Sequence, residues 1–84
     1  MYHINWSNKA KRQLGKIDRQ HQCAIIDAVD ALEDFPNAKN VIALTNHEHG
    51  YRMRVGNYRV LFDADTAVRI IEVQQVKKRD EHTY

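Results

Sequence analysis

The chain has 84 residues, enough for one domain with one modest core and too few for a second. Hydrophobic residues make up 43% and charged residues 29%, with a formal charge of +2, an ordinary globular balance that argues against a disordered tail or a fibrous protein. No stretch approaches the roughly 20 apolar residues of a membrane span, and MYHINWSNKAK lacks the apolar run of a secretion signal, so a soluble cytoplasmic protein with no membrane contact is expected.

Tyr2-His3-Ile4-Asn5-Trp6 alternates apolar with polar and predicts a short first strand. Ser7 is placed to cap a helix that carries Ala10, Leu14 and Ile17 at helical spacing. Asp18 is placed to cap the next, where Ala24, Ile25, Ala28, Val29 and Leu32 recur every three or four residues and Phe35-Pro36-Asn37 stops the run. Cys23 is the single cysteine, which excludes an internal disulfide. On the middle helix it reads as a small buried hydrophobe. Residues 37–50 are polar and mixed, with room for a short turn or strand at Val41-Ile42-Ala43-Leu44. Beyond Gly50, three strands are expected at Tyr51–Val55, Tyr58–Asp63 and Ala67–Val76. The predicted architecture is α+β over residues 1–84: an antiparallel sheet of about four strands with two N-terminal helices on one face, in the order β-α-α-β-β-β.

Charge is unevenly spread. Residues 1–50 are balanced, whereas residues 51–79 hold Arg52, Arg54, Arg59, Arg69, Lys77, Lys78 and Arg79 against Asp63, Asp65 and Glu72. Gly56-Asn57 fits a two-residue primed turn, which sets Val55 opposite Tyr58, Arg54 opposite Arg59, Met53 opposite Val60 and Arg52 opposite Leu61. The apolar members then share a core face, and Arg52, Arg54 and Arg59 share the other. Directly opposed arginines repel by a fraction of a kcal/mol, roughly the penalty of like charges across a strand pair. A phosphate chain lying on that face would convert the penalty into binding. The bland alternative is a solvated surface kept soluble by arginine.

The tail adds Lys77, Lys78 and Arg79, followed by His82 and Tyr84, the groups there best suited, with Glu81, to proton transfer. His3, His21, His47, His49 and Cys23 show no metal-ligand spacing beyond the weak triplet His47-Glu48-His49, which reads as loop surface. No glycine-rich phosphate loop and no serine nucleophile is evident, so no metal or cofactor is expected.

The segment Tyr51-Arg52-Met53-Arg54-Val55-Gly56-Asn57-Tyr58-Arg59-Val60-Leu61-Phe62 resembles the signature hairpin of the RelE/ParE toxin superfamily, and Val76-Lys77-Lys78-Arg79 with a later tyrosine resembles the closing strand and tail of its RelE branch. That resemblance implies the toxin of a type II toxin–antitoxin pair. A RelE-like member is an mRNA interferase: a metal-independent endoribonuclease that enters the A site of the 30S ribosomal subunit and cuts the mRNA by attack of its own 2′-OH, inhibiting translation. A ParE-like member is a non-catalytic inhibitor of DNA gyrase. Position by position, the resemblance gives Arg52 and Arg54 to the RNA backbone, with Lys77 beside them. It gives Arg59 and Arg79 to the scissile phosphate, with Lys78 as a possible substitute for Arg79. Tyr84 is given to base stacking or proton transfer, with His82 competing for the latter role. A cognate antitoxin protein is the implied partner. The arginine clustering favours the nuclease over the gyrase inhibitor.

Overall fold

The computed structural model describes residues 1–78. Five strands form one sheet in the order β1-β5-β4-β3-β2, where β1 is His3–Trp6, β2 Val41–Ala43, β3 Tyr51–Val55, β4 Tyr58–Asp65 and β5 Ile70–Lys78. Two helices, α1 (Asn8–Gly15) and α2 (Arg19–Asp30), followed by a 3₁₀ turn at Ala31–Asp34, lie between β1 and β2 in sequence. The α+β class and the two-helix layer match expectation. The sheet has one strand more than expected because Val41–Ala43 pairs with β3 as an edge strand, and it is mixed because β1 runs parallel to β5.

Helix α1 starts where the sequence says it should. Ser7 Oγ accepts the N–H of Ala10 at 3.0 Å and donates to the carbonyl of Gln74 at 3.0 Å, so one hydroxyl caps the helix and ties it to β5. Asp18 precedes α2 but makes no side-chain capping bond, because its carboxylate is engaged by His21 Nδ1. That bond is the first cause holding the Asp18 carboxyl below its ordinary range. Gly56 alone of the two turn residues has a positive φ, +56°, as the first position of a type II′ hairpin requires.

The register of β3 against β4 is the expected one, residue for residue. Met53, Val60, Phe62, Ile71 and Val73 face the helices, where Ile25, Val29 and Leu32 are fully buried against them. Burying Phe62 completely contributes about 1.5–3 kcal/mol relative to leaving it exposed. Phe35 meets Tyr2, Tyr51 and Phe62 edge-on, with ring centroids 5.0–6.0 Å apart. Cys23 is a correction: it is exposed, on the outer side of α2, and is not a core residue.

Strand β5 contains an irregularity that determines what the open face carries. Leu61 pairs with Gln75 but Phe62 pairs with Val73, so Gln74 is an extra residue, a β-bulge. The bulge shifts the alternation by one, which lets Val73 and Val76 both reach the core although they are three apart. Asp65 delays the start of this strand: its side chain accepts the N–H groups of Ala67 and Val68, and Arg69 takes a left-handed φ of 58°, so β5 begins at Ile70 rather than Ala67.

Candidate nucleic-acid interface

The helices cover one side of the sheet, and the side chains of alternate residues emerge on the other. Arg59 lies directly opposite Arg54 on β3 and Lys77 on β5, so one row across three strands carries three cations. Neighbouring strands are about 4.8 Å apart, which makes that row dense in positive charge. The next row holds Arg52, Leu61 and Gln75. Among the described residues, none of Arg52, Arg54, Arg59 or Lys77 forms an ion pair; the close contacts of basic side chains with carboxylates there are His21–Asp18, His49–Glu48 and His49–Asp63. Arg59 Nε is buried without a hydrogen-bond partner among the described residues. An unpaired buried donor costs roughly 1–3 kcal/mol, a cost that an incoming anion would remove.

Asp63, which shares this face with its cross-strand partner Glu72 and with Asp65, is held away from this cluster. It lies four residues along β4 from Arg59, about 13 Å at strand rise, beyond a physiological Debye length of about 8 Å. Its carboxylate accepts the N–H of Gly50 at 2.7 Å and His49 Nδ1–H at 3.2 Å, with Gln74 Nε2 at 3.4 Å. Gln75 Nε2 donates to His49 Nε2 at 3.3 Å, so one neutral tautomer of the buried His49 satisfies both contacts. The bulge is what allows consecutive glutamines to reach this one cluster. Asp63 therefore anchors the loop at residues 44–50, whose neck is closed by the Leu44 N–H donating to the Gly50 carbonyl at 2.8 Å.

Anchored in this way, the loop supplies one wall of a depression of about 180 Å³ lined by Leu44, His47, Arg52, Arg59, Leu61 and Lys77. Three cations and two leucines there suit a phosphate joined to a less polar sugar or base. Arg54 borders a different groove, with Ala28, Met53 and residues 37–40, although its backbone shares the row with Arg59. Lys78 pairs with Tyr58, on the alternation of the helix-bearing side, whereas its neighbour Lys77 pairs with Arg59 on the open side. Arg79, His82 and Tyr84 lie outside the described residues. His47, Leu44 and Leu61 were not singled out by the sequence pattern as site residues. The available signal was a His-X-His-Gly run immediately before the arginine hairpin.

A small α+β domain with two helices packed on one face of a five-stranded mixed sheet is a fold already represented among solved structures. The archaeal RelE in its complex with RelB from Pyrococcus horikoshii OT3 superposes with a TM-score of 0.80 at 24% identity, over 95% of this chain and 97% of that one. The isolated E. coli RelE toxin gives 0.82 at 13% identity, over 99% and 89%. The toxin–antitoxin complex RelBE2 of Mycobacterium tuberculosis gives 0.79 at 20% identity, over 93% and 98%. No curated protein matches the chain in sequence.

Residues 4–82 match the family described as the ParE toxin of type II toxin–antitoxin systems, parDE. The chain belongs to that family, within the RelE/ParE superfamily, and is a toxin of a type II toxin–antitoxin system. No helix among the described residues is long and apolar enough to cross a membrane.

Proposed function

We propose that this toxin is a RelE-like mRNA interferase, a metal-independent endoribonuclease acting on messenger in the ribosomal A site of the cytoplasm. The observation that carries the reading is the row Arg54–Arg59–Lys77 with Arg52 beside it, free of ion pairs among the described residues and lacking a partner at Arg59 Nε. A row of three cations opposes folding and is accounted for by an anionic substrate.

In the proposed reaction, the 2′-oxygen of one ribose forms a bond to the adjacent phosphorus and the bond from phosphorus to the 5′-oxygen breaks. The products are a 2′,3′-cyclic phosphate and a 5′-hydroxyl. Two negative charges accumulate on the non-bridging oxygens at the transition state, and Arg59 and Arg79 are assigned to them. Each such preorganised donor is worth about 3–4 kcal/mol in comparable sites. The 2′-hydroxyl proton must leave and the 5′-oxygen must gain one, tasks assigned to His82 and Tyr84. Arg52, Arg54 and Lys77 hold the flanking backbone. The register of Lys78 with Tyr58, on the alternation of the helix-bearing side, supports giving the second phosphate role to Arg79 rather than to Lys78.

A second reading has its own support: the family match is to ParE toxins, and a ParE-like member would inhibit DNA gyrase without chemistry. In either case the partner is a cognate antitoxin, as the RelE–RelB and RelBE2 complexes suggest by analogy. Primer extension on cellular messages after induction separates the two readings. Codon-phased cuts that vanish in Arg59→Ala support the nuclease, whereas intact messages with an induced DNA-damage response support the gyrase inhibitor.

A further inference from the structure

The loop between β2 and β3 places two histidines at the edge of the cation cluster, in different environments. His49 is buried and satisfied on both ring nitrogens, by Asp63 and Gln75. His47 is exposed and lines the depression together with Arg52, Arg59 and Lys77. Its Nδ1 lies 3.0 Å from the backbone nitrogen of His49, whose N–H donates to it. Accepting that hydrogen bond requires a lone pair on Nδ1. The neutral ring must then carry its proton on Nε2, the nitrogen far from the backbone. A protonated ring would have hydrogens on both nitrogens and would lose the bond that holds the turn.

We propose that His47 is a phosphate-contacting residue that acts as a neutral donor, offering Nε2–H to a non-bridging oxygen of the RNA backbone seated among Arg52, Arg59 and Lys77. The inference rests on the reading that this depression takes an RNA phosphate, and it adds a specific contact to it. The arginines supply charge, which reaches any anion. The imidazole supplies a directed bond from a side chain whose orientation is set by His49, itself pinned beneath the loop. Such a donor distinguishes a correctly seated phosphate from one merely attracted, and it contributes no net charge.

Asparagine at position 47 isolates the distal nitrogen. Its Oδ1 accepts the His49 N–H in the same two-residue pattern, an Asx turn, but the shorter side chain has no donor where Nε2–H was. The probe is a fluorescein-labelled, 2′-O-methyl single-stranded oligonucleotide, which cannot be cleaved by 2′-OH attack. Its binding is followed by anisotropy across a series of KCl concentrations. His47→Asn is expected to keep the thermal midpoint of the parent and to weaken binding about tenfold, the range for a hydrogen bond to a charged acceptor. The slope of log K against log[KCl] should stay that of the parent. Arg52→Ala, by contrast, should lower the slope by about 0.7, the value for one phosphate contact on a single strand.

Binding by His47→Asn equal to the parent, with Arg52→Ala weakened, overturns the inference and leaves the RNA reading standing. A slope reduced in His47→Asn as much as in Arg52→Ala also overturns it, since His47 would then bind as a cation. A parent protein that binds the oligonucleotide neither free nor in the A site of ribosomes programmed with it overturns both.

Discussion

Replacing Arg59 with methionine should increase stability while removing activity. Arg59 has a cation directly opposite on each side, Arg54 on β3 and Lys77 on β5. Like charges facing each other across strands cost roughly 0.2–1 kcal/mol per pair, so two pairs amount to about 0.4–2 kcal/mol. The substitution also removes a buried N–H that has no partner among the described residues. Methionine keeps the unbranched stem, and with it the packing of a half-buried side chain beside Leu61 and Leu44. The net expectation is a gain of about 1 kcal/mol in urea unfolding at low salt. The Coulombic part of the gain, between partly exposed groups, should fade near 1 M KCl, where the Debye length falls to about 3 Å, whereas the part from the removed N–H should persist. Growth arrest on induction should be lost in the same variant. A methionine variant less stable than the parent at low salt would refute the reasoning, because it would mean that Arg59 supports the fold rather than opposing it.

Asp63→Ala should destabilise the protein by about 1–3 kcal/mol, since the Gly50 N–H and His49 Nδ1–H lose a charged acceptor, and Asp63→Asn should cost less because one acceptor survives. Urea unfolding checks both, and an unchanged midpoint in Asp63→Ala would show that the carboxylate does not anchor the loop. The Asp18 carboxyl, held low chiefly by its hydrogen bond with His21, should titrate by NMR below its ordinary 3.8 and move back toward it in His21→Ala. The sign follows from linkage: a lowered carboxyl favours the folded state above its unfolded value, and the contribution disappears as pH falls through the folded one. An Asp18 titration unaffected by His21→Ala would contradict the assignment.

The hairpin was legible in the sequence because a two-residue turn leaves no freedom of register: once Gly56 takes the positive φ, the pairing of Arg54 with Arg59 follows. The Ser7 cap and the core positions Ala10, Ile25 and Val29 of the two helices were legible for a similar local reason, whereas Ala24 is exposed and Ile17 lies beyond the end of α1. Strand β5 was less so. Ile71, Val73 and Val76 break strict alternation, and the bulge at Gln74 that reconciles them depends on its pairing with β4. Cys23 shows the limit of composition, since helical phase places it outside the stripe defined by Ile25 and Val29. The largest gap concerns the loop. His47 and His49 read as a polar surface pair, because nothing local reveals that Asp63 and Gln75, 14 and 26 residues downstream of His49, hold that loop over the arginines. A site wall fixed by long-range hydrogen bonds to a neighbouring strand leaves no periodic trace in the loop itself.

The proposed chemistry is tested most directly with purified toxin and ribosomes programmed with a short message, one version all-ribose and one carrying a single 2′-deoxy nucleotide at the A-site position of cleavage. The account predicts that the all-ribose message is cut to a fragment ending in a 2′,3′-cyclic phosphate, that the deoxy message survives, and that Arg59→Met leaves both intact. Cleavage of the deoxy message, or undiminished cleavage of the all-ribose one by Arg59→Met, would contradict it.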